Sequence, residues 1–114
     1  MREIEQIPVL KENIPSLIEI CERHQVSKLF VFGSVITEKF DPEKSDIDLI
    51  VELAAMPPEE KGGHLIDLWD ELEELFQRKV DLLTDQPIKN PFLKENVEKT
   101  KLMIYDRERE EILI

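Results

Sequence analysis

The chain reads as a single α/β domain, a small mixed β-sheet with helices packed mainly on one face. Three observations predict it. Short β-branched or aromatic runs alternate with stretches of helical periodicity. The 114 residues suffice for one packed core and not two. No repeat, low-complexity tract or long linker divides residues 1–114, so one domain is expected throughout.

Residues 12–24 carry Ile14, Leu17, Ile18 and Cys21 on one helical stripe, with Asn13 placed as an N-cap and Pro15 in the first turn. Lys28 to Phe32 is a short buried-strand pattern ending at Gly33. A short helix is expected over 34–39 and an exposed loop over 40–45, where Asp41, Pro42 and Ser45 are turn formers. Asp46 to Leu53 predicts a second strand, with Ile47, Leu49 and Val51 on one face and Asp46 and Asp48 on the other. Pro57-Pro58 and Gly62-Gly63 predict a loop over 54–63. A helix then spans 64–78 on the apolar set Leu65, Leu68, Trp69, Leu72, Leu75 and Phe76, which makes Trp69 a core or interface residue. Residues 79–84 form a third strand, and Asn90-Pro91 opens a last helix extending to about Ile104. The charged-then-apolar tail from Tyr105 to Ile114 fits no element; its end could pair with another chain, which leaves a homo-oligomer open.

Charge narrows the partners. Twenty-six acidic residues against 15 basic ones leave a formal charge of -11. Nucleic-acid binding draws much of its affinity from cations on phosphates, so long DNA or RNA is disfavoured as a direct ligand. Metal ions and basic protein surfaces complement such a chain better. No apolar run approaches the ~20 residues of a membrane span, and the first residues lack the apolar stretch of a secretory signal. One cysteine cannot form an internal disulfide, which suits a reducing cytoplasm. Cys21 sits on the helix stripe as a small buried hydrophobe.

The chemistry lies in Gly33-Ser34 at a strand end, followed by Asp46-Ile47-Asp48 on the next strand. Glycine lets the backbone approach a phosphate without a Cβ between them. A helix starting at Ser34 would aim free N–H groups and its positive dipole end at an anion, and the hydroxyl adds a donor. Aspartates at i and i+2 share one strand face, about 7 Å apart. Their mutual repulsion is relieved by hard divalent ions, and Mg²⁺ prefers a few carboxylates plus substrate phosphates. Two such ions could clamp an in-line phosphoryl displacement. Asp81, between Val80 and Leu82, completes an acidic set if the third strand lies beside the second; Asp85 is its competitor. His24 at a helix end, His64, and the acidic face from Asp67 to Glu74 read more simply as structural or solvated groups.

Phe32-Gly33-Ser34, then Ser45-Asp46-Ile47-Asp48-Leu49, then Val80-Asp81-Leu82 resembles the minimal nucleotidyltransferases of the DNA polymerase beta superfamily. The resemblance implies the nucleotidyltransferase fold and a Mg²⁺-dependent transfer of a nucleotidyl group, AMP from ATP or another NTP, to an acceptor hydroxyl. It also implies nucleotide binding at Gly33 and Ser34, and catalysis and metal binding at Asp46, Asp48 and Asp81. Family members of this kind often serve as antitoxins beside a HEPN-domain toxin, which some of them AMPylate. One feature departs from the pattern. Many relatives carry a small residue and an arginine after the glycine–serine pair, whereas Val35-Ile36-Thr37-Glu38 follows here. The missing guanidinium keeps a second reading in view: an idle nucleotidyltransferase-like module that masks a partner protein.

Overall fold

In the computed structural model the described residues are 8–33, 46–84, 88–107 and 111–112. The elements run α1 (Pro8–Lys11), α2 (Ile14–Arg23), β1 (Val26–Phe32), β2 (Ile47–Leu53), α3 (Pro58–Phe76), β3 (Val80–Thr84), α4 (Pro91–Thr100), β4 (Leu102–Asp106) and β5 (Glu111–Ile112). The sheet order is β3-β2-β1-β4-β5. β2 and β3 are parallel, joined through α3, and the remaining neighbours are antiparallel. The sheet is therefore mixed, as the sequence predicts.

The period-two alternation of β2 sorts its side chains between two layers. Ile47, Leu49 and Val51 enter the main core with Leu17, Cys21, Leu68, Leu72 and Phe76 from α2 and α3. Each fully buried leucine here contributes about 2 kcal/mol through loss of apolar surface to water. Ile50 points the other way and joins Phe32 and Val97 in a smaller cluster, with Phe30, Leu83, Ile88 and Leu93 packed against it. Thus α2 and α3 cover one face and α4 crosses part of the other. The helix start at α4 is as the sequence predicts: Asn90 Oδ1 accepts from Phe92 N at 2.9 Å and from Leu93 N at 3.2 Å, with Pro91 in the first turn.

Several expectations are corrected. The Pro57-Pro58 and Gly62-Gly63 stretch is not a loop, because α3 begins at Pro58 and runs through both glycines. Pro58 needs no N–H in a first turn, Glu59 and Glu60 favour the positive dipole end there, and burial of Leu68, Leu72 and Phe76 outweighs the glycine cost. The last helix stops at Thr100. Residues 102–106 form β4, which pairs with β1 and buries Ile104 and Tyr105 completely. A helical tail there would leave the second edge of β1 unpaired. Of the tail, Tyr105 and Asp106 thereby belong to β4 and Glu111–Ile112 to β5. The expected 34–39 helix and 40–45 loop lie outside the described residues.

A polar clamp ties the end of α2 to α3. His24 caps α2, is buried, and bonds through Nε2 to Glu71, which also receives Arg23. Its Nδ1 stands 3.0 Å from His64 Nδ1, so one ring must accept what the other donates. Burial, then the neighbouring His64, lowers the His24 pKa. The helix-end reading of His24 holds, but side-chain partners from α3, not the dipole alone, satisfy it.

Cys21 is buried, and burial, reinforced by the Glu22 charge, pushes its thiol up to about 12. The thiolate is the reactive form. Cys21 is therefore expected to resist a disulfide reagent such as DTNB in the native protein and to react with one equivalent in denaturant; rapid native-state reaction would contradict this packing.

Candidate active site

Parallel register brings two carboxylates together. Ile47 is opposite Val80 and Asp48 opposite Asp81, so the two aspartates share a sheet face and hydrogen-bond to each other. Partial burial, the Asp81 hydrogen bond and charge, and the Asp46 charge push the Asp48 carboxyl up to about 6. Two carboxylates in contact favour retention of one proton between them. Asp46 stands at the entrance to β2, and Lys79 approaches it and Asp81 at 4.0 and 3.9 Å. Among the described residues, no three His, Cys, Asp or Glu side chains are arranged to hold one ion as the chain stands.

Gly33 abuts the same carboxylate. Its φ of +75° lies in the left-handed region, and a Cβ there would fall 2.5 Å from Asp48 Oδ2. Its N–H donates to Thr100 Oγ1 at 2.8 Å, and that hydroxyl donates to Asn96 O at 2.7 Å, fastening the end of β1 to the last turn of α4. Glycine therefore serves both the turn and the approach of Asp48. Ser34 lies outside the described residues, as does Asp85.

A cleft of about 370 Å³ opens over these groups, lined by Phe32, Asp48, Trp69, Asp81, Leu83 and Asn96 among others. Trp69 is 43% exposed, which excludes the core half of the core-or-interface reading. Its indole N–H donates to Val80 O at 2.7 Å, so the ring caps the free edge of β3 beside Asp81. Helical spacing alone puts Trp69 on the apolar stripe; only the position of the sheet edge moves it to the cleft. Thr100 and Lys79 were also missed. A threonine late in a helix and a lysine before a strand carry no sequence signal of their own.

Residues 14–104 match the family described as nucleotidyltransferase domain. The chain belongs to this family. Two relatives from Methanocaldococcus jannaschii, both provisionally named protein adenylyltransferases, are 35% and 33% identical. The first alignment covers 73% of this chain and 81% of the relative, the second 75% and 84%. A solved minimal nucleotidyltransferase, its own assignment provisional, superposes with a TM-score of 0.64 at 26% identity, over 84% of this chain and 93% of that one. The fold also matches a chain of the solved complex of a tri-AMPylated Shewanella oneidensis HEPN toxin with an MNT antitoxin, at a TM-score of 0.55 and 18% identity over 87% and 74% of the two chains. The resemblance to minimal nucleotidyltransferases, read from three short motifs, is borne out.

Two glycines should respond to alanine with opposite sign. Gly33→Ala forces a side chain into left-handed backbone and against Asp48, and should destabilise by about 1–3 kcal/mol. Gly62 has open space around its Cβ within a helix, so Gly62→Ala should stabilise by about 0.5–1 kcal/mol. Urea unfolding of both variants checks this pair; equal effects would refute it.

The raised Asp48 pKa has a stability consequence. The folded state binds this proton more tightly than the unfolded chain, so its stabilisation is complete below the ordinary aspartate value of ~4. It is lost as pH rises through about 6. In metal-free protein Asp48→Asn should therefore melt with the wild type near pH 4 and above it at pH 7.5, by about 1 kcal/mol after solvent screening. Melting curves across that range test it, and an Asn variant no more stable at pH 7.5 would contradict the like-charge contact.

Proposed function

We propose that the chain is a Mg²⁺-dependent nucleotidyltransferase that moves AMP from ATP to a hydroxyl on a partner protein, acting as the antitoxin of a toxin–antitoxin pair. The observation that carries this is the Asp48–Asp81 contact packed against a glycine that leaves no room for a Cβ. The names of the adenylyltransferase relatives support AMP and a protein acceptor. The fold shared with a solved HEPN toxin–MNT antitoxin complex is in keeping with the antitoxin role, as is the strongly acidic composition, which suits a basic partner surface.

The carboxylate oxygens are the donor type a hard divalent cation takes, and the three acids would have to converge further to hold one ion together. Asp48 and Asp81 supply oxygen ligands side by side, and burial, then Asp81, then the Asp46 charge raise the Asp48 pKa. These three would hold Mg²⁺, with Asp46, Asp48 and Asp81 as catalytic residues, and Gly33 with Ser34 would receive the triphosphate. When bound, the ion supplies charge neutralisation for the carboxylates and the phosphates. The chain's own residues do the rest. Gly33 leaves the backbone bare where phosphate must approach, and Thr100 holds that turn in place. In this reading Asp81, whose side chain is 46% exposed, accepts the acceptor proton. The acceptor oxygen bonds to the α-phosphorus, the bond to the bridging oxygen breaks, and pyrophosphate leaves. Trp69 and the apolar wall of the cleft limit water at the reacting atoms.

Incubation with α-labelled ATP, Mg²⁺ and a co-purified partner should label the partner. Asp48→Ala should reduce the transfer by at least ~100-fold, as expected for loss of a group that acts on the reacting atoms. Partner binding with no transfer by the wild type would instead establish the masking module that the missing arginine suggests.

A further inference from the structure

We propose that Lys79 is a resident counter-cation of the acidic site, displaced when a divalent ion binds and then free to meet the triphosphate. This inference rests on the reading of Asp46, Asp48 and Asp81 as a metal site. The Lys79 ammonium lies between Asp46 Oδ2, at 4.0 Å, and Asp81 Oδ1, at 3.9 Å. These are ion-pair separations, so the ammonium serves as a point charge between the two acids. It occupies the region a metal bound to the same carboxylates would have to neutralise.

The base of this side chain is held firmly. Lys79 O accepts from Ile47 N at 3.1 Å, which sets its backbone directly beside Asp46. The next residue, Val80, donates its N–H to Glu73 Oε2 at 2.9 Å and accepts the Trp69 indole N–H at 2.7 Å. Only the flexible stem of Lys79 can move, and at 66% exposure it has solvent-filled space to move into. A divalent cation and the ammonium compete for the same two carboxylates. An arriving triphosphate removes that competition by offering the lysine new anionic oxygens. Metal and nucleotide should consequently bind with positive coupling through one lysine. The device also bears on the departure in the sequence, since it supplies a cation from Lys79 where the sequence lacks an arginine after Ser34.

The test is Mn²⁺ binding followed by electron paramagnetic resonance, with and without a triphosphate analogue carrying a methylene α–β bridge. Wild-type protein is compared with Lys79→Met, Lys79→Arg and Asp48→Asn, folding being checked by circular dichroism. Lys79→Met should bind Mn²⁺ alone about two- to five-fold more tightly, the scale of an exposed charge pair, and the gain should shrink with added salt. The analogue should enhance Mn²⁺ affinity less in Lys79→Met than in the wild type, and Lys79→Arg should keep the wild-type pattern. Unchanged or weaker Mn²⁺ binding in Lys79→Met overturns the displacement, even while loss of binding in Asp48→Asn upholds the metal site. Wild-type Mn²⁺ binding that ignores Asp48→Asn removes the site itself, and the displacement with it.

Discussion

The contact between the Asp48 and Asp81 carboxyls is the constraint on which the site depends. It exists because β2 and β3 run parallel in a register that sets the two residues opposite each other. A slip of one residue would turn Asp81 into the main core and Val80 out to the cleft. Such a slip is costly, because Val80 is fully buried and Leu82 packs against the same core. Apolar burial on one face thus fixes the placement of charge on the other. The hydrophobic effect supplies the energy that holds two like-charged groups in contact.

The other elements bear on the same few ångströms. α3 joins the parallel strands and sends Trp69 over the β3 edge and Glu73 to the Val80 N–H. α4 reaches back through Thr100 to the Gly33 N–H, so the turn after β1 is tied to a helix 67 residues away in sequence. β4 pairs with the second edge of β1 and makes it an internal strand. A strand with partners on both sides is a rigid base for a turn whose glycine nearly touches a carboxylate. Raised carboxylate pKa values mark both functional clefts and structural clusters. Here the family membership of residues 14–104 gives the cluster its chemical meaning.

The acidic surface and the acidic site belong to the same electrostatic design. A formal charge of -11 is a long-range attraction for cations. Beside the cleft, among the described residues, Lys79 is paired with both Asp46 and Asp81.

Much of this was legible in the residues. Alternation in Asp46–Leu53 and Lys79–Thr84 determined which side chains face together, because strand geometry leaves no other choice for a half-buried sheet. Asn90-Pro91 specified a helix start through local hydrogen bonding alone, and Cys21 was assignable to the core from helical spacing. What failed were features decided at a distance. Gly62 and Gly63 are helical because Leu68, Leu72 and Phe76 bury against the sheet, a gain that local propensity cannot register. Leu102–Asp106 became a strand because β1 had a free edge to fill, and Trp69 lies over the cleft because β3 is itself an edge, a choice its core-or-interface reading left open. The sequence by itself determined the chemical inventory and the face each acid takes. Only the tertiary structure decided which acids meet, which lysine stands between them and which backbone amide Thr100 holds, since these contacts join segments whose separation along the chain carries no local signal.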